Sequence, residues 1–158
     1  MAVYSRRTRI DAPLETVWSF HSTVDGLEAV TPGWFNLRIE AVTGTPDSAP
    51  RGELVEDAEV SLSIRPFGVG PRQRWTSRIV ARDRSDREAW FRDEMIEGPF
   101  RRWSHTHRFR ERGRSTDVID RVEYELPGPF RTVSVAAWPA FWMIFRGRHR
   151  RTRRRLEP

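Results

Sequence analysis

Apolar residues follow two different spacings along this chain, and the spacings divide it into three parts. From about position 34 to position 126, apolar and polar residues alternate, as they do in half-buried β-strands. Before and after this stretch, apolar residues recur three or four positions apart, as in amphipathic helices. A further alternating segment at residues 3–10 predicts a strand at the beginning. The predicted order is therefore one strand, two short helices, six strands and a long final helix.

Three segments have helical spacing. The first begins at Pro13, a residue favoured in the first turn of a helix. The second covers residues 25–30, and the last begins near Trp138. The last helix has an aromatic face with the spacing i, i+3, i+4 and i+7, formed by Trp138, Phe141, Trp142 and Phe145.

Short turns separate the six later strands, and a longer loop is predicted over residues 43–52. Consecutive strands joined by short turns form an antiparallel meander. The strands are predicted at residues 35–41, 58–64, 75–79, 89–96, 101–111 and 116–126.

The alternation leaves one face of the sheet apolar, and that face has to be covered. Only the final helix is long enough to do this, so we expect the sheet to curl around it. Aromatic side chains on both surfaces then enclose a space suited to a small ligand. The predicted fold class is α+β, with about seven curved antiparallel strands wrapped around a long C-terminal helix.

Length and composition limit the classes of protein to consider. The 158 residues fit a single domain, and the chain has no cysteine, which excludes disulfides and thiolate metal sites. The longest weakly polar stretch, residues 132–145, is shorter than the roughly 20 residues of a membrane-spanning helix. No secretory signal is visible at the start. We therefore expect a cytoplasmic location.

The net charge of +6 belongs entirely to the last 13 residues. Residues 146–158 contain one glutamate and seven arginines, the first Arg146 and the last Arg155. As a solvated end of the final helix, these cations are favoured by the helix dipole. As a docking patch, they would attract an anionic membrane or nucleic acid. We expect weak peripheral membrane contact at most and no stable nucleic-acid binding, since no second basic patch accompanies the tail.

Five segments of the chain carry a likeness to a known family: residues 10–18, 91–94, 98–109, 116–127 and 144–149. They resemble the SRPBCC superfamily, the START-related proteins with a helix-grip fold. The likeness spans nearly the whole chain and is most specific at residues 98–109. It implies the helix-grip fold and the bacterial ligand-binding branch, which is related to polyketide cyclases and dehydrases.

The candidate chemistry centres on His105 and His107, which lie two residues apart on a predicted strand. The strand period places both on one face with Trp103, and we expect that face to point inward. Buried imidazoles need hydrogen-bond partners, and Asp93 or Asp120 on neighbouring strands could supply them. A structural network, ligand recognition and proton-transfer catalysis all remain open. Two histidines and a carboxylate could also form a metal site, but the spacing of the two histidines is only a weak signal for one. We therefore expect no metal and no cofactor.

The favoured function is the binding of a lipid, isoprenoid or aromatic polyketide-like molecule between the sheet and the final helix. One alternative is a cyclase or dehydrase that uses His105 or His107 with Asp93 or Asp120. Another is an interaction module that docks through the arginine-rich tail. The sequence leaves the ligand and the oligomeric state open. The predicted ligand-binding residues are Trp75, Phe91, Asp93, Trp103, His105, His107, Asp120, Tyr124, Trp138, Phe141 and Trp142.

Overall fold

The computed structural model describes residues 1–46 and 52–158, and its elements follow the predicted order. Three helices, α1 to α3, are present in the described chain. They cover Leu14–His21, Val24–Val30 and Trp138–Leu156. The strands β1 to β7 cover Ala2–Ile10, Arg38–Thr43, Glu59–Ile64, Gln73–Arg84, Glu88–Glu97, Arg102–Arg112 and Ser115–Glu125.

All seven strands form one antiparallel sheet with the order β1-β7-β6-β5-β4-β3-β2. Strands β2 to β7 are a meander, and β1 joins its end by pairing with β7. The pairing of β5, β6 and β7 places Asp93 opposite His105, and His107 opposite Asp120. The predicted helix-grip α+β fold is therefore confirmed, and its register brings the predicted polar residues together.

Helix α3 covers the sheet through an aromatic contact with β1. The ring of Phe145 stacks on Tyr4 with 5.3 Å between the centroids, and Phe141 packs edge-on against Tyr124 at 4.4 Å. All four side chains are buried. Large aromatic rings contribute strongly to core packing, so this cluster fixes the helix against one end of the sheet.

One strand begins later than its alternation predicts. Residues Gly33–Phe35 form a turn of 3₁₀ helix, and Asn36 then adopts a left-handed conformation with φ of 48°. Strand β2 therefore starts at Arg38, three residues after the predicted position. Of the loop predicted over residues 43–52, positions 47–51 lie outside the described residues.

None of the helices in residues 1–46 and 52–158 has the length and hydrophobicity needed to cross a lipid bilayer.

A 3₁₀ segment over Gly128–Ala137 leads from β7 into α3. It is anchored where the Tyr124 hydroxyl donates a hydrogen bond to the Ser134 carbonyl oxygen at 2.8 Å. This anchor ties the start of α3 to the end of β7.

Candidate functional site

A cavity of about 350 Å³ lies between the sheet and α3. It falls within the usual size range of small-molecule pockets, roughly 300–1,000 Å³. Its wall is mostly aliphatic and aromatic, because the alternating strands turn their apolar residues toward the helix. The aromatic members of the wall are Phe35, Trp75, Phe91, Phe100, Trp103, Phe141 and Phe145.

His105, His107 and Asp93 form a polar cluster in the wall. The two imidazole rings lie 3.7 Å apart between centroids, and His107 stacks on Phe91 at 4.2 Å. Nε2 of His107 lies 3.1 Å from Oδ2 of Asp93. Both histidines are buried and all three polar residues line the cavity, so the β6 register is the predicted one.

Asp120 lies behind the histidines and contacts three imidazoles. Its Oδ1 is 2.8 Å from Nε2 of His105 and 3.1 Å from Nδ1 of His107. Its Oδ2 is 2.6 Å from Nε2 of His149 on α3. The other nitrogen of His149 lies 2.7 Å from the Thr8 hydroxyl on β1. The carboxylate of Asp120 therefore ties together β1, β6, β7 and α3.

Burial and hydrogen bonding shift the pKa values of this cluster in opposite directions. Burial raises the pKa of Asp120, but hydrogen bonds from His105, His107 and His149 outweigh it and hold that pKa well below its usual value. Burial likewise raises the pKa of Asp93, but interactions with its neighbours outweigh burial and lower that pKa below its usual value. The largest of these is the hydrogen bond from His107. Both aspartates are therefore carboxylates at neutral pH, and both serve as hydrogen-bond acceptors.

The two histidines differ in their surroundings. Burial lowers the pKa of His107, but the hydrogen bonds to Asp120 and Asp93 outweigh it and raise that pKa above the usual value. For His105, burial and the neighbouring His107 together lower the pKa. On α1, burial lowers the pKa of His21 to about 3, so His21 is neutral where it meets the cavity.

Arg148 places a cation at the apolar wall. Burial lowers the pKa of its guanidinium, although arginine remains charged in proteins at ordinary pH. Its Nε is buried and has no hydrogen-bond partner. Within residues 1–46 and 52–158 the guanidinium forms no ion pair, while its carbon lies 5.8 Å from the centre of the Phe145 ring. The cavity therefore holds a cation that the described protein groups leave unpaired.

Four of the predicted ligand-binding residues lie outside the cavity wall. Asp120 and Tyr124 are buried behind it, where they hydrogen-bond other protein groups. Trp138 and Trp142 are 47% and 40% exposed, and the ring of Trp138 packs edge-on against Tyr4 of β1 rather than entering the cavity wall. The predicted residues that do line the cavity are Trp75, Phe91, Asp93, Trp103, His105, His107 and Phe141.

The sequence analysis missed three polar residues of the site, namely His149, Arg148 and His21. The buried face of α3 keeps two of the four predicted aromatic residues, Phe141 and Phe145, and continues through His149 and Thr152. Continuing the four-residue spacing from Phe141 beyond Phe145 would have reached His149. His149 and Arg148 were instead counted with the basic tail.

Most of the remaining arginines of the tail lie on the outside of α3, which runs through them to Leu156. Arg151 is partly buried, and the exposed ones are Arg146, Arg150, Arg153, Arg154 and Arg155. Arg153 donates hydrogen bonds to the Arg9 carbonyl oxygen and to Glu157. The tail is therefore a helical basic surface that is attached to β1.

Three groups in the cavity wall have the chemistry of metal ligands. Asp93, His105 and His107 each offer one ligand atom, and these atoms lie within 4.8 Å of one another. Imidazole nitrogen and carboxylate oxygen suit divalent transition metals such as zinc and iron.

Comparison with solved structures supports the fold. The chain resembles a Thermus thermophilus protein with 20% identity and a TM-score of 0.63, covering 96% of this chain and 97% of that one. It resembles a START superfamily protein from Mycobacterium smegmatis with 13% identity and a TM-score of 0.64, covering 98% and 97%. It also resembles norcoclaurine synthase from Thalictrum flavum, solved with dopamine and hydroxybenzaldehyde, with 16% identity and a TM-score of 0.60, covering 94% and 84%.

No curated protein matches the sequence. The family model described as polyketide cyclase / dehydrase and lipid transport matches residues 10–152. This match spans β1 to α3 and so includes every element that builds the cavity. The chain therefore belongs to the polyketide cyclase / dehydrase and lipid transport family.

Proposed function

We propose that this protein binds one small hydrophobic molecule in the cavity between its sheet and α3. The observation that carries the proposal is an apolar space of about 350 Å³ inside the fold. An engineered cavity of roughly 150 Å³ in another protein is large enough to hold benzene. The space here accommodates a larger lipid, isoprenoid or aromatic polyketide-like ligand.

Arg148 indicates which polar group the ligand carries. Arg148 is partly buried, and its Nε is fully buried without a hydrogen-bond partner in a wall that is otherwise largely apolar. A buried polar group without a partner is costly. A carboxylate or another acidic oxygen on the ligand supplies that partner through a charge-assisted hydrogen bond. The ligand that fits best is therefore an apolar molecule with one acidic group.

Dodecanoic acid and dodecanol provide a direct test, since they differ only in the head group. We expect the wild-type protein to bind one dodecanoic acid per chain by calorimetry, and to bind dodecanol at least tenfold more weakly. Bound ligand also raises the melting temperature by mass action. Native mass spectrometry of freshly purified protein would reveal a natural ligand. If neither probe binds, the proposal is wrong.

The matched pair of variants is Arg148→Met and Arg150→Met. Both remove one arginine from α3, but only Arg148 lines the cavity, and Arg150 is exposed. We expect Arg148→Met to lose the preference for the acid over the alcohol, and Arg150→Met to keep it. Equal behaviour of the two variants would contradict the role of Arg148.

A cyclase or dehydrase activity is the second candidate, favoured by the polar cluster in an otherwise apolar wall. The family description includes such enzymes, and one structural neighbour was solved with two aromatic compounds. In such a reaction His105 or His107 would transfer a proton to or from the ligand, with Asp93 or Asp120 as its partner. Turnover of an aromatic polyketide substrate that is lost in His105→Gln, while dodecanoic acid still binds, would support it.

A further inference from the structure

The ligand atoms of Asp93, His105 and His107 are close enough together to surround a single metal ion. Oδ2 of Asp93 lies 3.1 Å from Nε2 of His107 and 3.7 Å from Nδ1 of His105. Two ligand atoms that are each about 2.1 Å from one ion, at angles of about 90–120°, are about 3.0–3.6 Å apart. Both distances from the Asp93 oxygen are near this range, and the ligand atoms of the three residues all lie within 4.8 Å of one another.

Asp120 orients both imidazoles for this task. Its Oδ1 contacts Nε2 of His105 at 2.8 Å and Nδ1 of His107 at 3.1 Å. Metal-binding histidines commonly donate their other ring N–H to a carboxylate, which fixes the tautomer and the ring orientation. In the metal-free protein Nε2 of His107 donates a hydrogen bond to Asp93. With a metal ion in place of that proton, and the other ring protons directed at Asp120, the lone pairs of His105 Nδ1 and His107 Nε2 would both point toward the ion.

His149 in turn fixes the position of the Asp120 carboxylate. It contacts Oδ2 of Asp120 at 2.6 Å and leaves Oδ1 to His105 and His107. Asp120 and His149 lie outside the cavity wall, whereas the three candidate ligands line it. The remaining coordination positions of an ion would therefore face the cavity.

One contact between a candidate ligand and Asp93 is longer than a hydrogen bond. Nδ1 of His105 lies 3.7 Å from Oδ2 of Asp93, and an ion between these two atoms could contact both. The carboxylates of Asp93, which is partly buried, and of Asp120, which is buried, also carry a charge of −2 that a divalent cation would balance.

We propose that Asp93, His105 and His107 bind one divalent transition-metal ion, such as Zn²⁺ or Fe²⁺, in the wall of the cavity. The sequence analysis expected no metal here. The spacing of residues along the strands could not show that the Asp120 carboxylate contacts the rings of both His105 and His107. Two histidines and one carboxylate with open positions are the ligand set of many catalytic zinc and non-haem iron sites. The site extends the proposed function, because an acidic ligand in the cavity could coordinate the ion.

Metal content and cobalt binding test the proposal in untagged protein. Elemental analysis of protein purified without chelator should find about one zinc or iron ion per chain. After removal of that ion, Co²⁺ should restore one equivalent and give visible absorption bands of a nitrogen- and oxygen-ligated ion. Absence of any uptake of Zn²⁺, Fe²⁺ or Co²⁺ by folded protein at tenfold excess would overturn the proposal.

Variants separate ligation from general charge effects. Asp93→Asn and His107→Gln should each weaken Co²⁺ binding at least 100-fold, and Asp120→Asn should weaken it about 10- to 100-fold. Asp117→Asn is the matched control, because Asp117 is a buried carboxylate on β7 whose partners are arginines outside the cavity. It should bind Co²⁺ as the wild type does. Unchanged binding in folded Asp93→Asn and His107→Gln would refute the site.

Calorimetry with dodecanoic acid distinguishes this proposal from the proposed function. The acid should bind the metal-loaded protein more tightly than the metal-free protein. If the protein takes up no metal but still binds the acid, only the metal site is wrong.

Discussion

Nε2 of His149 on α3 lies 2.6 Å from Oδ2 of Asp120 on β7, in the buried interior of the fold. This contact is a polar link between the covering helix and β7, the strand next to the edge strand β1. It also makes Asp120 the shared acceptor for His105, His107 and His149. The stability of the helix-grip arrangement and the geometry of the cavity wall therefore depend on the same carboxylate.

Replacement of Asp120 with Ala should destabilise the protein by about 3–5 kcal/mol, because it leaves buried imidazoles without their acceptor. Replacement of His149 with Leu should cost less, about 1–3 kcal/mol, since Asp120 keeps two other contacts. Urea denaturation measures both free energies of unfolding. The control is Arg150→Gln on the exposed side of α3, which should stay within about ±0.5 kcal/mol. A loss below about 1 kcal/mol in Asp120→Ala would contradict this account.

The second buried carboxylate, Asp117, should contribute a pH dependence to stability. Burial raises its pKa, but hydrogen bonds from Arg112, Arg7 and Arg9 outweigh it and lower the pKa below the usual value. A carboxyl with a lowered pKa in the folded state stabilises the protein above its unfolded pKa, near 4, and loses that contribution as the pH falls through its folded pKa. Asp117→Asn should therefore be less stable than the wild type at pH 7, and the difference should shrink below about pH 4.

Chemical denaturation of both proteins between pH 7 and pH 2.5 measures this difference. The three arginine partners are about half exposed, so we expect only about 1–2 kcal/mol at pH 7. A difference that stays constant over the whole range would show that Asp117 does not titrate with a lowered pKa.

Filling the cavity should abolish ligand binding without unfolding the protein. Leu62 lines the cavity from β3 and is only partly buried, so a Leu62→Trp side chain can extend into the open space. We expect the affinity for dodecanoic acid to fall at least tenfold, with a melting temperature equal to or above that of the ligand-free wild type. Calorimetry and thermal denaturation check the two parts. Wild-type affinity in this variant would place the ligand elsewhere.

The arginine-rich tail should behave as a solvated surface. Replacing Arg150, Arg151, Arg153, Arg154 and Arg155 with Gln removes five charges and keeps the helix propensity. We expect little change in ligand affinity, and any binding of wild-type protein to anionic vesicles or DNA should vanish near physiological salt. Vesicle sedimentation and gel-shift titrations over a salt series measure this. Binding that persists at physiological salt and disappears in the variant would support a docking patch.

The alternation of apolar residues was sufficient to predict seven strands in their chain order and the inward face of β6, although β2 begins three residues after its predicted start. Alternate residues of a strand point to opposite faces, so His105 and His107 lie on the same face of β6 as its aromatic residues. Since the aromatic residues point inward, the two histidines do as well. Pairing of consecutive strands then placed Asp93 and Asp120 next to them, as expected for a meander. These features are local, and local sequence determines them.

The rotation of α3 was decided by the tertiary structure alone. An α-helix with apolar residues on more than one side can turn any of them toward a sheet. Packing against Tyr4 and Tyr124 buries Phe141 and Phe145, whereas Trp138 and Trp142 stay 47% and 40% exposed. That rotation brings His149 to Asp120, 29 residues away in sequence, and Arg148 to the cavity. The spacing of residues within one helix or strand cannot predict such a contact, because the contact depends on how two elements pack against each other.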